Sequence, residues 1–156
     1  MSSWVEKNAN QEVARRNEVK AFMQAYHKFL SALTPLLNAE IDEFRKHFPA
    51  DTIKWSALSP EVTEISHDFG GTSFADVRLH ADPIRKVFIF EFGISPALSK
   101  MIPATVHGDE LLLDLSSNAI VSMAELVEYI LFPVLFPGHV SDPETLRHLK
   151  PRFGAY

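Results

Sequence analysis

With 156 residues, 46% of them hydrophobic and 22% charged, the chain has the balance of one ordinary globular domain rather than of a disordered or fibrous protein. The absence of cysteine excludes disulfides, thiolate metal sites, iron–sulfur clusters and a cysteine nucleophile. The net charge of −5, with Lys and Arg interleaved among acidic residues, disfavours nucleic-acid binding, which needs a clustered positive face.

Residues 1–9 carry no apolar pattern and are expected to be disordered. They also show no apolar stretch of the kind a secretory signal needs, so a cytoplasmic location is expected. From about 10 to 48 the pattern is helical. Val19, Phe22, Tyr26, Phe29, Leu33, Leu36 or Leu37, Ile41, Phe44 and Phe48 recur at steps of three and four and form one apolar stripe. Pro35, with Thr34 as a possible cap, predicts a kink or a short break. An isolated helix of this kind is unstable, so the stripe either lies across a sheet or pairs with a second copy of the chain.

Pro49 and Pro60 bracket a possible short strand, TIKWSAL. Residues 61–69 and 72–80 then alternate as strands around Gly70-Gly71, a two-residue hairpin signal. A turn at Ala81-Asp82-Pro83 leads into a third strand over 85–94. Ser95-Pro96 opens a brief helical turn, and PATV and ELLLDL flank His107-Gly108-Asp109 as a second hairpin. Ser122 and Glu125 form a capping box for a helix ending between Leu131 and Leu135, and Ser141 with Glu144 forms another for a short terminal helix. The stretch 120–136 is apolar, but it is short for a bilayer and holds Glu125, Glu128 and Pro133, so it reads as a core helix. Antiparallel hairpins flanked by helices make a single α+β domain: a long N-terminal helix on an antiparallel sheet, built from a three-stranded meander plus a second hairpin, with C-terminal helices.

The run VFIFEFGI at 87–94 places one carboxylate, Glu91, inside an apolar strand. Side chains alternate across a strand, so faces follow from an assumed register. With Gly70-Gly71 as a two-residue turn, His67 pairs with Phe74 and Ile65 with Asp76. With a turn at 81–84, His80 pairs with Arg85 and Phe74 with Glu91. One face then holds Ala75, Val77, Leu79, Phe88, Phe90 and Phe92 and belongs to the core. The other holds Ile65, His67, Phe74, Asp76, Arg78, His80, Val87, Ile89 and Glu91. Either these charges neutralise one another on a solvated face, or the face lines a cleft in which Glu91, Asp76, His67, Arg78 and His80 bind a ligand, bind a metal or exchange protons. The spacing matches no known ligand motif. Catalytic residues are not assigned, and no metal or cofactor is expected. There is no G-x-S-x-G, H-E-x-x-H, Walker A or dinucleotide fingerprint. His107, Asp109 and Glu110 read as ordinary turn chemistry. Past the capping box, Leu131, Phe132, Leu135 and Phe136 form an apolar surplus that either completes the core or meets a partner.

The element order resembles that of the small acidic type III secretion chaperones: helix, three strands, helix, two strands, helix. The resemblance covers about two-thirds of the chain. It implies a homodimeric, non-enzymatic module that binds another protein. An adaptor or immunity-like protein has the same signature. The competing expectation is a small-molecule- or metal-binding domain, or a hydrolase-like enzyme, that uses the second sheet face. Neither reading involves nucleic acid or a membrane.

Overall fold

The computed structural model describes residues 3–71 and 74–141. Helix α1 runs from Trp4 to His47. The Ser3 hydroxyl caps it by accepting from the Glu6 amide at 3.1 Å. Glu6 in the first turn and Arg45, Lys46 and His47 in the last suit the helix dipole. Residues 4–9, expected to be disordered, are therefore part of the helix. The break allowed for at Pro35 is absent, since the helix is continuous there; the Thr34 hydroxyl donates to the Leu30 carbonyl at 2.7 Å. Phe22, Tyr26, Leu33, Leu37, Ile41 and Phe44 are buried along one side. The residues before Val19 are almost all exposed, Trp4 at 77%, so the helix overhangs the body by about 20 Å at its 1.5 Å rise per residue.

Six strands follow: β1 (Thr52–Ser59), β2 (Val62–Asp68), β3 (Phe74–Asp82), β4 (Val87–Phe92), β5 (Lys100–His107) and β6 (Glu110–Leu113). They form one antiparallel sheet in sequence order. Pairing of Val87 with Pro103 and Phe90 with Lys100 joins the expected meander and hairpin, and TIKWSAL adds the edge strand β1. Short 3₁₀ turns at Pro96–Leu98, Leu115–Asn118 and Pro137–Ser141 make connections, and helix α2 spans Met123–Leu135. Ser122 caps α2, its hydroxyl accepting from the Glu125 amide at 3.1 Å. The terminal helix expected from Ser141 and Glu144 lies outside the described residues. No described helix is long and apolar enough to cross a membrane.

The β2–β3 hairpin corrects the assumed register. Asp68 Oδ1 accepts from the amides of Gly70 and Gly71 at 3.2 and 2.9 Å, and both glycines have positive φ, 142° and 73°. The hairpin starts with this side-chain turn, and Asp68 pairs with Phe74 and His67 with Ala75. A shift of one residue sends Ile65 and His67 to the opposite face from the one expected. At β3–β4, Asp82 Oδ1 accepts from Ile84 and Arg85, and Asp82 pairs with Val87. That slip is even-numbered, so the faces of β3 and β4 stay as expected.

The core face carries Ile53, Ile65, Val77, Leu79, Phe88, Phe90, Phe92 and Ile102, and both helices bury their apolar sides on it. Aromatic rings dominate the contacts: Phe29 meets Phe88 edge-on at 5.4 Å, and Phe90 meets Phe92 edge-on at 5.9 Å. Among the described residues, no helix covers the other face.

Candidate functional site

That uncovered face holds four of the five residues expected to form a ligand site. Antiparallel pairing sets Arg78 between Glu64 on β2 and Glu91 on β4. Arg78 Nε lies 3.2 Å from Glu64 Oε2 and 4.0 Å from Asp76 Oδ2, and His80 Nε2 lies 3.2 Å from Glu91 Oε1. Glu64, absent from the sequence reading, takes the Arg78 contact that the assumed register left open. Asp76 is the least exposed acid of the group. Burial holds its carboxyl above the usual range and nearby Glu64 adds to this, while Arg78 and the Gly93 amide act in the opposite direction. A Cβ on Gly93 would meet Asp76 Oδ1, so a larger residue there would displace the Asp76 carboxylate. Glu91 is 52% exposed, on a sheet face rather than in a cleft. The group is a set of exposed and half-exposed ion pairs, each worth little in water.

His67, the fifth residue, is on the other side of the sheet. It is 2% exposed and fully engaged: Nδ1 meets the Val134 carbonyl at 2.7 Å and Nε2 meets Asp51 Oδ2 at 2.8 Å. Phe44 touches it edge-on at 5.2 Å and Phe69 lies 4.8 Å away. No set of three His, Asp or Glu side chains among the described residues is placed to hold a metal ion. The turn at His107 is tied to α1 by Lys28, 2.9 Å from Asp109 and 3.9 Å from Glu110.

The apolar residues of α2 divide. Leu131 and Leu135 are buried in the core, while Phe132 and Phe136 are half-buried. All four line a groove of about 300 Å³ between α1 and α2, with Val127 and Ala124 beside them and the exposed acids Glu40 and Glu128 facing it from either helix. On the far side of Phe136 is a second cavity, of about 380 Å³, walled by Phe44, Phe48, Phe69, Phe136 and His139, with Asp51 and His67 at its polar end. Sequence reasoning missed this cavity. The available signal was the concentration of Phe at 44, 48, 69 and 136, but its convergence depends on where β2 and α2 end.

No protein-family model matches the chain, and neither a curated protein nor a solved structure matches it. The element order also departs from the chaperone pattern, because four strands rather than three precede the short helical turn at Pro96–Leu98.

Proposed function

We propose that this protein is a non-enzymatic interaction module that holds a basic, amphipathic segment of a partner protein in the groove between α1 and α2. The observation carrying this reading is the composition of that groove: an apolar floor of Val127, Leu131, Phe132, Leu135 and Phe136 with an acid on each helix, Glu40 and Glu128. An apolar anchor flanked by Lys or Arg complements it in shape and sign. A second copy of the chain fits less well. A twofold axis through the groove would set Glu40 and Glu128 against their own counterparts on a chain of net charge −5. The engagement of both His67 nitrogens adds support, since a general base needs a lone pair free for substrate.

The test uses two fluorescent helical peptides of equal length and leucine content, one flanked by Lys and one by Glu. Anisotropy should show the Lys-flanked peptide binding at least about tenfold more tightly. Phe132→Ala should weaken it by a similar factor without changing the fold, as judged by circular dichroism. Equal binding of the two peptides overturns the reading, as does indifference to Phe132→Ala. Light scattering that gives a dimer dissociated by Phe132→Ala would also overturn it, by assigning the groove to a second copy.

A further inference from the structure

The cavity beyond Phe136 has features that the groove lacks. Aromatic rings from Phe44, Phe48, Phe69, Phe136 and His139 predominate in its walls, beside Leu135 and Pro137. Phe44 and Phe48 stack with centroids 4.7 Å apart, and Phe136 meets both edge-on at 5.4 and 6.5 Å. Phe69 closes the side next to His67. Phe48 is 45% exposed, so part of its ring is open to an occupant. Among the described residues, no Lys or Arg lines the cavity.

Its polar end is built. Asp51 follows the last turn of α1, and its amide donates to the Phe48 carbonyl at 3.2 Å. The His67 imidazole, locked by the Val134 carbonyl, grips Oδ2 at 2.8 Å. Asp51 Oδ1 has no hydrogen bond among the described residues. The Asp51 side chain is 21% exposed, at the wall of the cavity. Ring faces carry partial negative charge, and the fixed Asp51 Oδ1 adds to it. Together they attract a compact cation whose charge is spread over alkyl groups.

We propose that this cavity binds a quaternary ammonium headgroup, with the rings of Phe48, Phe69 and Phe136 around it and Asp51 Oδ1 against its positively polarised methyl groups. Such a headgroup loses little hydration on entering an aromatic site, whereas a metal ion would find only one carboxylate. The cavity shares Leu135 and Phe136 with the groove, but the tests separate the two: Phe48, Phe69 and Asp51 line only the cavity, and Glu40 and Phe132 line only the groove.

The test is calorimetric titration of the full chain with choline and with 3,3-dimethyl-1-butanol, its uncharged isostere. Choline should bind at least about tenfold more tightly, because the two differ only in charge. Phe48→Leu should weaken choline about fivefold or more and leave the isostere unchanged, while Phe48→Trp should restore choline binding. A third titrant, a short peptide bearing trimethyllysine, separates sources: tighter binding of the peptide than of choline assigns the headgroup to a modified protein, and the reverse assigns it to a free metabolite. Equal binding of choline and its isostere, or binding of neither, overturns the proposal. So does choline binding that Phe48→Leu leaves intact while circular dichroism shows the fold unchanged.

Discussion

His67 Nε2 lies 2.8 Å from Asp51 Oδ2 across the buried end of the sheet, while Nδ1 of the same ring is held 2.7 Å from the Val134 carbonyl. Three elements meet at one imidazole: the loop after α1, strand β2 and the end of α2. Removing the ring should be costly. His67→Ala leaves the Val134 carbonyl and Asp51 without their partner and opens a cavity between aromatic rings. We expect a loss of about 3 kcal/mol. Asp51→Asn keeps an acceptor for the ring and should cost about 1 kcal/mol. Urea unfolding of both variants checks the order, and equal losses would refute this account.

Tyr26 is fully buried, and its hydroxyl has no hydrogen-bond partner among the described residues. Burial pushes the phenol well above its usual pKa, so the group stays neutral. Tyr26→Phe removes an orphaned polar atom at almost constant volume. It should leave stability unchanged or raise it by about 1 kcal/mol, as read by the denaturation midpoint. A loss above about 2 kcal/mol would mean that the hydroxyl is satisfied in solution.

Gly93 and Asp76 are coupled by contact. Gly93→Ala should destabilise the protein by about 1–3 kcal/mol, because the new methyl meets the carboxylate. Combining it with Asp76→Ala should recover part of that loss, and a double-mutant cycle measures the coupling. Additive losses would show that the two do not touch.

Asp76 also gives a pH signature. Its carboxyl is held above the ordinary value of 3.8, so the folded state binds its proton more tightly than the unfolded chain does. The stability this provides is full below 3.8 and is lost as pH rises through the higher folded value. Asp76→Asn should therefore stabilise at neutral pH, by about 0.5 kcal/mol for a group this close to solvent, and the gain should vanish at pH 3. Glu91→Gln, on an exposed contact with His80, should change stability by less than about 0.5 kcal/mol at either pH. Thermal melts at the two pH values separate these outcomes.

Much of the architecture is legible in the residues. The stripe from Phe22 to Phe44 repeats at the helical period, and Phe88, Phe90 and Phe92 repeat at the strand period, so each buries the side its periodicity names. Ser122 with Glu125 marks the start of α2, because a hydroxyl at that position satisfies an otherwise unpaired amide. The start of α1 was harder to read. Residues 4–9 hold no apolar repeat, yet they extend the helix by capping at Ser3 and by following turns that are already formed.

The candidate sites divide along the same line. Local pattern determined which residues of β3 and β4 share a face, because an even-numbered register slip leaves alternation unchanged. It placed Asp76, Arg78, His80 and Glu91 together and marked Leu131, Phe132, Leu135 and Phe136 as surplus, of which Leu131 and Leu135 are buried. Only the tertiary structure decided that His67 leaves that group. Asp68 captures the amides of Gly70 and Gly71, lengthens the loop and shifts β2 by one residue, and a shift of one reverses every side chain on the strand. The aromatic cavity likewise needs Phe44, Phe69 and Phe136 brought from three elements to one point. Periodicity reports which way a side chain points from its own element; what it meets there depends on packing between elements distant in sequence.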